Sequence, residues 1–135
     1  MLVKIIFFII FMQQILFGFE YAVITNADSD ISTASPKQLK DIFMMKKHFL
    51  NHIKIIPVNI TSSSQIRKAF EREVLHVKRN TLNHYWIKQH FQGIRPPTVQ
   101  SSVDSIKLFI KNVTGAIGYI PLTKIDSDVK VLYEF

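Results

Sequence analysis

Four consecutive hydroxyl side chains, Thr61, Ser62, Ser63 and Ser64, stand directly before an apolar-periodic stretch that opens with Gln65 and Ile66. Hydroxyls and successive backbone N–H groups at the start of a helix can surround a tetrahedral oxyanion, and the positive end of the helix dipole favours its charge. Arg67, one turn further in, offers a charge-assisted bond to the same ion. The same residues also suit a plain serine cap, worth about 1 kcal/mol, on a solvated turn. Spacing alone leaves both readings open.

Other chemistries are poorly supplied. His48 and His52 are four apart but have no third ligand beside them, His84 and His90 fall on poorly matched helix faces, and His76 stands alone. With no His-Glu-x-x-His and no Asp/His cluster, no metal and no cofactor is expected. There is no cysteine, which removes disulfides, thiolate metal sites and a thiol nucleophile. A glycine-rich phosphate loop, a Gly-x-Ser-x-Gly elbow and paired carboxylates at a strand end are missing too, so the expectation is a protein without catalytic activity. Arg67, Lys68, Arg72, Lys78 and Arg79 outnumber Glu71 and Glu73, either as a binding face or as a solvated helix surface. The aromatics near them fall at inward positions, which argues against a nucleic-acid stacking platform. Tyr85, Trp86 and Phe91 read as core.

The elements that must position these residues alternate. Residues 21–25 (YAVIT) read as a strand. Ser35 caps a helix, with Pro36 at its first position and Gln38 completing a capping box; Leu39, Ile42 and Phe43 form its apolar face. A basic loop around Lys46, Lys47 and His48 leads to a second strand over residues 53–58, where Pro57 suits an end or an edge. The helix after the hydroxyl run buries Ile66, Ala69, Phe70, Val74 and Val77 at spacings of three and four. A third helix spans residues 81–91 and stops at Gly93. Ser101 or Ser102 caps a fourth, with Val103, Ile106, Ile110 and Val113 inward. Strands over residues 116–120 and 129–133 complete the order. Strands alternating with helices predict an α/β layer structure with a mostly parallel sheet flanked by about four helices. Ligands in such sheets sit beyond the carboxyl ends of strands, where the hydroxyl run falls.

The chain has 135 residues, 47% of them hydrophobic, and a formal net charge of +7. That is one domain, too apolar for a disordered chain, with an excess charge suited to anions, acidic partners or a membrane surface. Residues 1–18 carry Lys4, a short apolar run broken by Gln13 and Gln14, and Gly18 as a small residue at a cleavage edge. This describes a signal peptide, 1–18, before a domain at 19–135, and a periplasmic location; the alternatives for this segment are an uncleaved N-terminal anchor or a buried helix. No stable membrane span is expected after processing.

The pieces resemble, in order, small phosphate-binding-protein-like domains related to the periplasmic substrate-binding proteins of phosphate ABC transporters. They are YAVITNADSDIS, SPKQLKDIF, IIPVNITSSSQIRKAFEREVL, YWIKQHFQGIRPP and TGAIGYIP. The resemblance implies a single three-layer lobe of the type-II periplasmic-binding-protein fold and phosphate or another oxyanion as ligand; it leaves a part in phosphate transport open. It places a Ser-Gly-Ser-Gly-Thr-like loop on residues 62–66, where Ser62 and Ser64 match, Ser63 and Gln65 replace glycines, and Ile66 replaces the threonine. It implies weak binding by Thr61, Ser62, Ser63, Ser64 and Gln65 with help from Arg67, because only one of the two ligand-enclosing lobes has a counterpart here. The alternative is a non-catalytic periplasmic interaction module that kept the fold, lost the ligand site and meets an envelope protein partner.

Overall fold

The structure is a computed structural model that describes residues 18–135; the proposed signal peptide lies, but for Gly18, outside the described residues. Seven strands and four α-helices follow one another: β1 (Tyr21–Asn26), α1 (Pro36–Phe43), β2 (Phe49–Leu50), β3 (Ile53–Lys54), β4 (Ile56–Ile60), α2 (Gln65–Phe70), α3 (Arg79–Phe91), β5 (Thr98–Gln100), α4 (Val103–Asn112), β6 (Ala116–Pro121) and β7 (Val129–Glu134). A π-helical turn, Glu71–Leu75, continues α2 without a break, and a 3₁₀ turn, Leu122–Lys124, follows β6.

The main sheet has the order β5-β4-β6-β1-β7. β4 pairs in parallel with both β5 and β6, whereas β1 runs antiparallel to β6 and β7. Four of its five strands therefore point the same way, and β1 runs against them. β1 and β6 are buried almost from end to end because both faces of the sheet are covered. The period-two alternation of β6 assigns the faces. A Cβ at Gly118 would approach Ile106 and Ile110 of α4, while the next residue, Tyr119, stacks on Phe70 of α2 with ring centroids 4.0 Å apart. Phe43 of α1 meets Phe70 edge-on at 4.7 Å. So α4 covers one face, and α1 and α2 cover the other, in three layers.

Local chemistry explains the element ends. Ser35 accepts from the Gln38 amide at 3.1 Å, and the Gln38 side chain accepts from the Ser35 amide at 3.0 Å, the expected reciprocal box. Ser102 is the cap of α4, accepting from the Ser105 amide at 3.1 Å.

Three expectations need correction. The stretch read as one strand over residues 53–58 is split at Ile55, because residues 53–54 pair back with 49–50 in a separate small hairpin that turns at the left-handed Asn51 and His52 (φ 47° and 66°). Pro57 lies within β4, an interior strand, but β5 begins pairing only at Val58; no ladder bond is lost where the proline lacks its N–H. Phe91 is 85% exposed and Ile87 is 56% exposed, so α3 turns apolar side chains outward. Only Leu82 of α3 is buried; Tyr85 and Trp86 are half-buried, and the Tyr85 hydroxyl donates to the Met44 carbonyl at 2.7 Å.

Candidate functional site

The hydroxyl run sits beyond the carboxyl end of β4, where sheet topology places ligands. Its start is tied to the neighbouring strand: the Thr61 amide donates to the Gln100 carbonyl at 3.0 Å, and the Ser64 amide turns back to the Thr61 carbonyl at 3.1 Å. Lys68 is the first residue to donate within the helix, to Ser64 O at 3.1 Å. The amides of Gln65, Ile66 and Arg67 thus precede the ladder. The Ser64 side chain makes no cap hydrogen bond, unlike Ser35 and Ser102, and its hydroxyl remains available at the loop. Ser62, Ser63 and Gln65 are exposed, and Thr61 and Ser64 half-buried. These five residues form one loop with donors for an oxyanion.

Arg67 is placed elsewhere. It is 8% exposed, and its guanidinium donates to the Ile60 carbonyl at 2.8 Å and to Glu71 Oε2 at 2.8 Å. The expected bond to an anion at the loop therefore meets an arginine already engaged on two sides. The i,i+4 spacing of Arg67 and Glu71 was the sequence signal for that pairing. Arg79 Nη2 reaches the same carboxylate oxygen at 2.7 Å, so one buried carboxylate faces two guanidiniums.

Beneath the loop, the Tyr119 hydroxyl donates to Asn59 Oδ1 at 2.8 Å in the buried layer. Burial pushes the Tyr119 phenol well above the usual tyrosine range, and the nearby Arg67 charge opposes that only in part. The phenol stays a neutral donor and holds the end of β4 in place. Neither residue stood out in the sequence, because their pairing spans 60 positions.

Two clefts flank α2. One, of about 590 Å³, is lined by Ser62, Lys68, Arg72 and the chain reversal at His76, Lys78 and Arg79, with Glu71 among its walls. The other, of about 360 Å³, brings Gln65 and Ala69 against Phe19, Tyr21, Tyr133 and Phe135 near the chain ends. Ser62 thus borders the first cleft and Gln65 the second, and Arg72 lines both. The basic excess seen in the sequence gathers at the first cleft, apart from Arg67, which is not among its walls. Among the described residues no group of three His, Cys, Asp or Glu side chains could hold a metal ion. No helix among them is long and apolar enough to cross a membrane.

No family model and no curated relative matches the chain. Solved structures do. A candidate phosphate ABC transporter substrate-binding protein with bound phosphate from Clostridium perfringens superposes with a TM-score of 0.69 at 23% identity, over 84% of this chain and 44% of that one. An ABC-type phosphate transport receptor from Vibrio cholerae gives 0.66 at 20% identity, over 84% and 45%. PstS from Borrelia burgdorferi gives 0.64 at 16% identity, over 84% and 46%. The chain spans less than half the length of each of these structures. It has the fold of phosphate ABC transporter substrate-binding proteins over that part of their length.

Proposed function

We propose that this chain is an exported, solute-binding-like domain that takes phosphate or a similar oxyanion weakly at the loop of Thr61, Ser62, Ser63, Ser64 and Gln65. The observation that carries the reading is the uncapped Ser64 hydroxyl beside three helix amides that precede the hydrogen-bond ladder. An oxyanion there would accept from donors that have no partner within the helix. Arg67 serves the loop indirectly, by bracing the Ile60 carbonyl at the end of β4. The fold shared with phosphate-binding structures supports this ligand class. A site open on one side leaves water competing for every bond, so affinity is expected on the order of millimolar.

Calorimetric titration with phosphate and with sulfate tests it. Saturable binding that Ser64→Ala weakens about fivefold, the equivalent of one hydrogen bond of about 1 kcal/mol, supports the assignment. No saturable heat up to about 10 mM phosphate rejects it.

A second reading, an interaction module meeting an envelope protein, is favoured by α3, which exposes Ile87 and Phe91 while docking through Leu82. In that case, affinity capture from an envelope fraction yields a discrete complex that Ser64→Ala leaves intact and Ile87→Ser with Phe91→Ser disrupts.

A further inference from the structure

The helix that begins at Gln65 does not end as an ordinary α-helix. It widens into the π turn Glu71–Leu75 and stops at His76, which has a left-handed backbone (φ 51°, ψ 41°). The Val77 amide returns to the Glu71 carbonyl at 3.2 Å, and α3 begins two residues later. π turns and non-glycine left-handed residues both cost stability and concentrate at functional sites. Here they reverse the chain so that Lys78 and Arg79 share a cleft with Lys68 and Arg72 of the preceding helix.

The charge of that cleft is lopsided. Glu71, its buried carboxylate, is already shared by Arg67 and Arg79, which leaves a net positive triad. Arg72 pairs with the exposed Glu73. Lys68 and Lys78 join no ion pair among the described residues. Like charges held around one cleft repel each other, and a single oxyanion offsets only part of that repulsion. A volume of about 590 Å³ is that of a small-molecule site, larger than one phosphate needs. Val77 is its one aliphatic side chain; the rest of its apolar surface comes from His76 and the stems of charged side chains, whose heads reach the ligand.

We propose that this cleft is a second anion site, bordering the loop at Ser62, that takes a chain of linked phosphates, with Lys68 and Arg72 meeting one end and Lys78 and Arg79 the other. Ser62 supplies a hydroxyl at the rim. The inference goes beyond phosphate binding at the loop and does not require it.

The test compares tripolyphosphate, a nucleoside triphosphate and inorganic phosphate on the full chain, at one ionic strength near 0.1 M so that screening is constant. Tripolyphosphate is expected to bind at least about tenfold more tightly than phosphate, and Lys68→Gln with Lys78→Gln to abolish that preference. A control pair of equal charge change, Lys37→Gln with Lys124→Gln, is expected to leave it intact; melting curves verify that both pairs remain folded. Binding of the nucleoside triphosphate equal to tripolyphosphate assigns the phosphate chain as the recognised part, and tighter binding adds its organic body. No preference for tripolyphosphate over phosphate, or equal losses in the two double variants, overturns the proposal. Phosphate binding weakened by Ser64→Ala with the tripolyphosphate preference absent removes the cleft and keeps the loop; phosphate binding unchanged by Ser64→Ala with the preference present removes the loop and keeps the cleft.

Discussion

At the scale of single residues, the polar groups that matter most are those the core has swallowed. Tyr119 is fully buried, and its hydroxyl bond to Asn59 joins β6 to the strand that ends at the loop. Tyr119→Phe leaves the buried Asn59 oxygen without this donor, and a loss of about 1–2 kcal/mol is expected in urea unfolding. The same residue sets an alkaline limit. Burial raises the folded phenol's pKa, so above pH ~10 the unfolded chain releases a proton that the folded chain retains. Stability contributed by the neutral phenol is full below that pH and falls as pH rises further. Unfolding curves between about pH 9 and 11 should steepen in their pH dependence for the parent and be flatter for Tyr119→Phe; equal slopes would place the alkaline loss elsewhere. Arg67 illustrates the opposite outcome, a cation suited by type to an anion but committed to Ile60 and Glu71.

At the scale of elements, the turn between α4 and β6 leaves no room for a side chain at its glycine. Gly115 has φ +82°, and a Cβ there would lie 2.0 Å from the Lys54 carbonyl oxygen in β3. Its own carbonyl accepts from the Ile56 amide at 2.9 Å, which starts β4 beside β6. Gly93, after α3, has a similar φ of +75° with nothing within 4 Å. Gly93→Ala is expected to cost about 1 kcal/mol from backbone strain alone, and Gly115→Ala about 3 kcal/mol or more, since backbone must move as well. Equal costs in denaturant titrations would mean that β3 yields freely. The contrast matters to the site, because β4 carries the loop and takes its register from β6.

At the scale of the whole molecule, stability and function are unevenly spread. β1 is paired along both edges and its central residues are fully buried. α3 has one buried residue, one hydroxyl bond to Met44 and, at its first residue, the Arg79–Glu71 ion pair holding it to the body. Native-state hydrogen exchange should therefore show amides of Arg79–Phe91 exchanging well before those of Tyr21–Asn26 and Ala116–Pro121. Similar protection in all three would mean that α3 unfolds only with the core. Charge is uneven too. Residues 46–95 hold ten of the 17 Lys+Arg and all five His, against two of the ten Asp+Glu. The loop, the basic cleft and the exposed face of α3 all lie in that stretch, while the remainder is close to neutral.

Local rules were enough for much of this protein. The capping box at Ser35, the cap at Ser102, the stop at Gly93 and the alternation of strands and helices follow from residue type and spacing, because the interactions that set them lie within four residues. The hydroxyl loop was legible for the same reason. The separate hairpin before β4, the π turn and the outward face of α3 were not, since a left-handed His52 or His76 has no reliable signature and α3 carries apolar residues on two sides. Which basic residues stay free was decided by tertiary structure alone. A guanidinium goes to whichever carbonyl and carboxylate the fold brings within reach, and burial without such partners costs more than any single surface bond returns. The sequence determined the donors and the fold that carries them; the packing of α2 against β4 decided that Arg67 turns inward while Lys68 and Lys78 face the cleft.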